Sequence, residues 1–348
     1  MRSIADRRRH RAGGSLCGVL IAFLAMVGIS AMSSAACADG AGVDSGEGVE
    51  APQLLNRIPA SVRFDATALT VTVGPVDIGQ EADAAAHAPL PAFSFVAPAD
   101  LTIVGYRVHV RTRQGSPLSR AYLHHFSILD PTRSSTFCEG APYLLVGSGV
   151  EQTEARFPAG YGLRVKKGTG LLAVAAFYHG AAPSSDVLAE LTMFLAPQGA
   201  HIEPLDTYLV SVTSDCYTRY VRTADETEEG ARLRPGIATR SVAVTFPFEA
   251  CIKYAYSHLH DFAALLTLSN QSRRHTLLRT VPDLTLDGKM RGIPHYQIYS
   301  DRGGFPVIPE DRYELSMIYY TPIQMSAPRY GMGMYILYLT RGPCPPPP

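Results

Sequence analysis

The sequence lacks the motifs of several common protein classes. It contains no Gly-x-Ser-x-Gly and no His-Glu-x-x-His, so the usual serine hydrolase and zinc peptidase signatures are missing. None of the six cysteines stands in a Cys-x-x-Cys pair, which argues against a zinc knuckle or a thioredoxin-like redox site. The glycine-rich segment 168–173 resembles a dinucleotide fingerprint, but Gly180 and Pro183 interrupt the helix that such a site needs.

A basic excess is also absent. Residues 1–38 hold five of the 31 basic residues and one of the 31 acidic residues, so 26 basic and 30 acidic residues remain after them. A mildly acidic chain does not provide the positive surface that phosphates require, and no nucleic-acid partner is expected.

The first 38 residues have the pattern of a secretory signal peptide. A basic stretch, Arg7–Arg11, precedes an apolar run, Leu16–Val27, and Ala36-Cys37-Ala38 offers a cleavage point. We therefore expect an exported protein, either periplasmic or secreted. The alternative is a lipoprotein anchored through Cys37, whereas the apolar run is short for a membrane span.

Four cysteines remain in the predicted mature chain: Cys138, Cys216, Cys251 and Cys344. An even number in an exported protein predicts disulfide bonds. Four cysteines allow three connectivities, and the sequence does not choose among them.

The pattern of apolar residues predicts an all-β fold. Many short runs rich in β-branched and aromatic residues alternate at period two, as in Leu101–Thr112 and Leu188–Leu195, and no convincing amphipathic helix lies between them. We predict antiparallel β-sandwiches, one in each half of the chain. The predicted organisation is a signal peptide (1–38), a flexible linker (39–59), two sandwich domains (60–200 and 201–342) and a proline-rich tail (343–348).

His258 and His260 lie in an apolar, strand-like run. Residues two apart on a strand share a face, so these two imidazoles can converge on one metal ion. The alternative is a pair of histidines on a half-exposed strand without any metal.

Other candidate ligands are His124 and His125, His179, and the C-terminal methionines, of which Met317 is one. Adjacent residues of a regular strand point to opposite faces, so His124 and His125 can share an ion only if the strand bulges or ends there. A thioether ligand would favour copper.

The order of these elements, His-His, then His, then His-x-His, resembles the copper type II, ascorbate-dependent monooxygenases, the family of peptidylglycine alpha-hydroxylating monooxygenase and dopamine beta-monooxygenase. Phe157-Pro-Ala-Gly-Tyr-Gly-Leu-Arg-Val165 is similar to the family's Pro-x-Gly-x-Gly-Phe-Arg-Val segment, and Tyr208–Val212 resembles the start of its second domain. The resemblance covers residues 101–339 and implies two antiparallel jelly-roll-like sandwiches.

The resemblance also implies a set of ligands and a reaction. His124, His125 and His179 would hold one copper ion, and His258 and His260 a second, catalytic one. The reaction would be hydroxylation of a carbon–hydrogen bond of a small organic substrate by O₂, with ascorbate or another one-electron reductant as co-substrate.

Three positions depart from the family pattern. The expected thioether position holds Arg312, with Met317 nearby, and the expected ligand position next to His179 holds Tyr178. Tyr256 replaces the family's substrate-binding arginine and is the candidate substrate contact here. The alternative function is therefore a non-catalytic extracytoplasmic copper-binding protein of the same fold.

Overall fold

A computed structural model describes residues 53–54, 58–78, 92–135, 141–152, 154–177, 184–212, 232–294, 303–323 and 329–345. The predicted signal peptide with Cys37, most of the predicted linker, His179, Cys138 and Cys216 lie outside these ranges. Within them, no helix has the length and apolar character needed to cross a membrane.

The regular secondary structure of the described residues is β-strand, apart from one short 3-10 helix at Arg120–Tyr122. The first half of the chain provides strands β1 (Gln53–Leu54), β2 (Ala60–Phe64), β3 (Ala68–Ile78), β4 (Ala92–Val96), β5 (Leu101–Thr112), β6 (Leu123–Ser134), β7 (Pro142–Gly149), β8 (Glu154–Arg156), β9 (Tyr161–Val165), β10 (Gly170–Phe177), β11 (Ser184–Leu195) and β12 (Glu203–Pro204).

The second half provides β13 (Asp206–Ser211), β14 (Arg232–Leu233), β15 (Gly236–Val244), β16 (Ala250–Leu259), β17 (Ala263–Asn270), β18 (His275–Thr280), β19 (Asp283–Leu284), β20 (Met290–Gly292), β21 (Phe305–Val307), β22 (Tyr313–Thr321), β23 (Arg329–Tyr330) and β24 (Gly333–Arg341). The predicted all-β class is confirmed.

Each half builds two facing sheets. In the first half the sheet β1-β4-β10-β6-β7 packs against the sheet β12-β9-β5-β11-β3-β2, with β8 attached to β5. In the second half the sheets are β13-β24-β16-β21 and β15-β22-β17-β18, with small two-stranded ribbons β14–β23 and β19–β20 beside them. Among the described strands every pairing is antiparallel except β9 with β12. The predicted antiparallel sandwich architecture is confirmed.

Two hydrophobic cores fill these sandwiches. The first core combines residues from both first-half sheets, such as Phe126, Ile128, Ile103 and Leu191. The second core combines residues of the two second-half sheets. The described residues nevertheless belong to one compact unit, and the domain boundaries given above stay a prediction.

Strand β16 is buried along its whole length because it separates the two cores. Side chains alternate across a strand, and Tyr254 and Tyr256 contribute to the first core, whereas Ala255 and Leu259 contribute to the second. Its neighbour β24 alternates in the same way. One face of this sheet is therefore turned towards the first half of the chain.

Two sequence predictions concern the ends of the described region. Gln53 and Leu54, inside the predicted linker, pair with β4. Near the other end, Cys344 forms a disulfide with Cys251 of β16, with the two Cα atoms 4.8 Å apart. The expected disulfide bonding is thus present for this pair, and the disulfide attaches the start of the proline-rich tail to the second sandwich.

Candidate metal centre

A β-bulge in β6 positions His124. Ala176 of β10 pairs with His125, and the next residue, Phe177, pairs with Leu123, so His124 is an extra residue in the ladder. A bulge bends the strand and redirects the side chain of the extra residue. The ring centroids of His124 and His125 are consequently only 4.9 Å apart, and the bulge that this dyad required is present.

His258 and His260 continue the face of β16 that Tyr254 and Tyr256 begin. Because that face is turned towards the first half, the two imidazoles meet β6 and its bulge. The His258 and His260 ring centroids lie 5.2 Å apart, and both lie close to the ring of His124, at 5.8 and 5.1 Å respectively. The alternation predicted from the sequence thus places both histidines in one site.

The candidate ligand atoms of His124, His258 and His260 all lie within 4.8 Å of one another. The Nε2 atoms of His124 and His260, from residues 136 positions apart in the chain, are separated by 3.1 Å. A tetrahedral ion with metal–nitrogen bonds of about 2.0–2.1 Å holds neighbouring nitrogens about 3.3 Å apart. The spacing of these two nitrogens therefore fits a shared metal ion, as well as a hydrogen bond between the rings.

A buried carboxylate lies behind His258. Glu151, in the turn after β7, is completely buried, and its Oε1 accepts hydrogen bonds from Nδ1 of His258 at 2.5 Å and from the Tyr256 hydroxyl at 2.8 Å. Because Nδ1 is engaged, Nε2 is the ring nitrogen of His258 left for a ligand. Metal-binding histidines commonly donate their second nitrogen to a carboxylate in this way.

Burial and the neighbouring imidazoles favour the neutral forms of His124 and His125. Burial, and then the nearby His125, His260 and His258, lower the pKa of His124 well below its usual range. Burial also lowers the pKa of His125 to about 4, with a further contribution from His258. A neutral imidazole has the free lone pair that a metal requires, so these histidines need not lose a proton at neutral pH to bind one.

Glu151 has the opposite preference and favours its charged form. Burial opposes ionisation, but attraction to His258 and the hydrogen bonds from His258 and Tyr256 outweigh it and lower the pKa of the carboxyl. Burial and the neighbouring Glu151 charge raise the pKa of Tyr256 well above its usual range, so its hydroxyl keeps the proton that it donates.

The turn after His260 is held from several sides. Phe262 adopts a φ of 70°, which is unfavourable for a bulky residue. Its N–H donates to the Gly288 carbonyl at 2.7 Å, and its own carbonyl accepts from the N–H of Tyr320 at 2.9 Å. The His260 N–H donates to the Tyr319 hydroxyl at 3.0 Å. These contacts fix the backbone at the end of β16.

The arrangement differs from the one that the resemblance implied. That arrangement divides His124 from His258 and His260 between two copper ions, whereas the structure gathers all three around one point. His125 lies beside the cluster, and His179 lies outside the described residues. The structure therefore brings together four of the five predicted histidines.

Met317 and Tyr256, the other two predicted site residues, are not part of the three-histidine cluster. Met317 packs in the second core against Leu266 and Gly333, on the side of the β16–β24 sheet opposite to His258. The methionine that pairs across the strands with His258 is Met334. Tyr256, the predicted substrate contact, is 2% exposed and binds Glu151 instead.

Sequence reasoning missed Glu151. It is a single acidic residue in a turn, with no second ligand type at a fixed spacing, so nothing in the local sequence distinguishes it from a surface carboxylate. Its only local sign is its position two residues after Gly149, whose lack of a side chain makes room for the carboxylate.

Comparison with known proteins assigns no family. No protein-family model matches the chain, and no curated protein matches it. Among solved structures, the major capsid protein P2 of bacteriophage PM2 shares 9% sequence identity over 82% of this chain and 98% of that chain, with a TM-score of 0.35. A Parabacteroides distasonis ATCC 8503 protein shares 10% identity over 82% of this chain and 93% of that chain, with a TM-score of 0.20. These likenesses are too weak to indicate a function.

Proposed function

We propose that this protein binds one transition-metal ion through His124, His258 and His260, and that copper is the physiological ion. The supporting observation is the convergence of three imidazoles from two sandwiches in front of a buried, ionised carboxylate. A metal ion at Nε2 of His258 would add positive charge close to this carboxylate, and their attraction would strengthen binding.

Copper is preferred for chemical reasons. Imidazole nitrogens suit copper, zinc, iron and nickel, and Cu²⁺ binds most tightly in the usual order of divalent affinities. Met334 is the cross-strand neighbour of His258, and its thioether is a soft group of the kind that favours Cu⁺. Together with the predicted signal peptide, this supports an exported copper-binding protein.

Metal analysis of the purified protein tests the proposal. We expect one copper ion per chain after loading with Cu²⁺ and removal of excess ions, and less than a tenth of an ion in His258→Ala. His109→Ala and His275→Ala are matched controls, because both histidines are exposed and lie on strands away from the cluster. Equal copper in all four proteins would contradict a site at the cluster, and two ions per chain would favour the two-centre arrangement implied by the resemblance.

Oxygen chemistry is the second candidate function. Three histidine ligands leave a four-coordinate ion one open position, which is the arrangement that catalytic metal sites use. Bound copper would supply one-electron redox chemistry, and hydroxylation would consume O₂, two electrons and two protons and release the hydroxylated product and water. His124, His258 and His260 would orient the ion, and the two sandwiches would limit access of water.

Oxygen consumption distinguishes the two functions. Copper-loaded protein is supplied with ascorbate and a set of small organic compounds, and its oxygen uptake is compared with that of His258→Ala and of free copper at the same concentration. Substrate-dependent uptake in the wild type alone supports a monooxygenase. Metal binding without such uptake supports the non-catalytic copper-binding function.

A further inference from the structure

At the candidate metal centre, Glu151 connects the two halves of the chain. It belongs to the first half, in the turn between β7 and β8, yet its side chain contacts Tyr256 and His258 of β16 in the second half. Its carbonyl accepts a hydrogen bond from the N–H of Ile293, also in the second half, at 2.9 Å. Both the backbone and the side chain of Glu151 are thus fixed relative to His258.

The second oxygen of this carboxylate has no such partner. Oε2 is buried and receives no hydrogen bond from the described residues. It lies over Gly149, where an added Cβ atom would come within 2.5 Å of it. This oxygen has lost water without gaining a donor, which is a cost that the contacts of Oε1 with His258 and Tyr256 must offset.

We propose that Glu151 is a positioning residue for the metal centre, which directs Nε2 of His258 to the ion and, through its fixed negative charge, favours the more highly charged oxidation state of copper. This inference rests on the proposed function. Glu151 acts on the ion through His258 rather than as a ligand.

Two separate effects follow from this arrangement. The hydrogen bond from Nδ1 of His258 fixes the tautomer and the ring orientation, which strengthens binding of any ion at Nε2. The negative charge acts electrostatically and attracts Cu²⁺ more strongly than Cu⁺. Loss of position should therefore weaken both oxidation states alike, and loss of charge should weaken Cu²⁺ more than Cu⁺.

Two variants of Glu151 separate these effects. Glu151→Gln keeps the size of the side chain and removes the charge, whereas Glu151→Asp keeps the charge and withdraws it from His258 by one methylene group. We expect Glu151→Gln to weaken Cu²⁺ binding by about 10–100-fold, to weaken Cu⁺ binding less, and so to raise the Cu²⁺/Cu⁺ reduction potential. Glu151→Asp should weaken both ions by similar factors and leave the potential nearly unchanged.

Glu190→Gln is the matched control for the loss of one negative charge, because Glu190 lies on β11 and pairs with Arg111 at 3.2 Å. It should change neither affinity nor potential. Thermal unfolding of the metal-free proteins supplies the second readout. The amide oxygen of Glu151→Gln can still accept the hydrogen bonds from His258 and Tyr256, so the variant should remain folded, and the melting temperatures show whether any loss of affinity follows a loss of stability.

The outcomes are distinguishable. Unchanged Cu²⁺ affinity and potential in Glu151→Gln, with copper bound normally by the wild type, would overturn the role of Glu151 and leave the proposed function intact. Marked destabilisation of both metal-free Glu151 variants, with an unaltered Cu²⁺/Cu⁺ reduction potential, would show that Glu151 has a purely structural role. That result would also overturn the proposed positioning role. A wild type that binds no copper would refute the proposed function, and the role of Glu151 with it.

Discussion

Gly149 is the residue on which the position of the Glu151 carboxylate depends. A Cβ atom at this position would lie 2.5 Å from Oε2 of Glu151 and 2.7 Å from the carbonyl oxygen of His124. Gly149→Ala should therefore displace the carboxylate from His258 and disturb the bulge of β6. We expect copper affinity to fall at least about tenfold, measured by competition with a chelator of known affinity.

Gly147→Ala provides the matched control. Gly147 lies two residues earlier on the same strand and faces the same way, but the nearest atom to its added Cβ would be the end of the Ile336 side chain at 3.2 Å. A flexible side chain can move by a few tenths of an ångström, so copper affinity should stay near that of the wild type. Equal losses of copper affinity in Gly149→Ala and Gly147→Ala would mean that the affinity depends on the backbone of β7 rather than on the position of Glu151.

At the residue scale, the sequence predicted the imidazoles but not their carboxylate. The His-x-His spacing on a strand determines that His258 and His260 share a face, and this is a local property. The partnership of His258 with Glu151 joins residues 107 positions apart. Such a contact depends on how the two sandwiches pack, and no local sequence pattern predicts it.

At the element scale, the ribbon β19–β20 supports the turn that follows His260. The ring of Phe262 packs against Gly288 so closely that a Cβ atom there would lie 2.2 Å from Cδ1 of the ring. Gly288→Ala should push Phe262 away and release the turn, because the φ of 70° at Phe262 persists only while its surroundings hold it. We expect lower thermal stability together with weaker copper binding.

Gly168→Ala separates this effect from simple backbone strain. Gly168 and Gly288 share a φ of 82°, but nothing lies within 4 Å of an added Cβ at Gly168. An alanine at such a φ costs about 1 kcal/mol, so Gly168→Ala should lower stability by about this amount and leave copper affinity unchanged. If Gly288→Ala loses no more stability than Gly168→Ala and also keeps its copper affinity, the ribbon does not position His260.

The hairpin β17–β18 is attached to the start of β22 by Asp311. Its Oδ2 accepts hydrogen bonds from Nδ2 of Asn270 at 2.8 Å and from Nε of Arg273 at 2.6 Å, and these contacts, the Asn270 bond first, lower the pKa of the carboxyl. A lowered pKa in the folded state means that the ionised group stabilises the fold above the unfolded pKa of 3.8. That contribution is lost as the pH falls further, through the folded pKa.

Asp311→Asn should therefore lower the melting temperature at pH 7, and the difference from the wild type should shrink as the pH falls below 3.8. Thermal unfolding of both proteins between pH 7 and pH 2.5 measures this. A difference that stays constant across the range would show that the ionisation of Asp311 does not contribute. Copper should be absent from these samples, so that the metal centre does not add its own pH dependence.

The strands themselves could largely be predicted from the sequence. Period-two alternation predicted β5 at Leu101–Thr112 with both ends correct, and it predicted a strand at Leu188–Leu195, which the structure extends to Ser184–Leu195 as β11. Strands such as β16 are apolar on both faces, and this indicates burial without showing what covers each face. The pattern therefore predicts the strand but not the core that each face joins.

At the scale of the whole molecule, the proposed metal centre lies where the two sandwiches meet. His124 belongs to β6 and its sheet in the first half, whereas His258 lies near the end of β16, the strand shared by the two cores, and His260 directly follows that strand. The order of the histidines along the chain suggested two centres, one in each half. The structure gathers them because one face of β16 is turned towards the first sandwich, which the sequence alone does not reveal.

This position predicts that the metal ion holds the two sandwiches together. An ion that binds only the folded protein stabilises it by about 2.7 kcal/mol at a free concentration of 100 times its Kd. If its ligands come from both halves, the added protection should extend into both. Zn²⁺ is the suitable probe, because it binds imidazole without redox chemistry, and hydrogen exchange followed by mass spectrometry is the measurement.

In the wild type, Zn²⁺ should slow exchange in peptides that cover β6 and β7 as well as in those that cover β16. His124→Ala removes the only one of the three candidate ligands that belongs to the first half. Any remaining protection should then be confined to β16 and its neighbours, whereas the exposed-site control His109→Ala should behave like the wild type. Protection restricted to β16 in the wild type would place the ion on His258 and His260 alone, and the two sandwiches would then be held by their apolar contacts rather than by the metal.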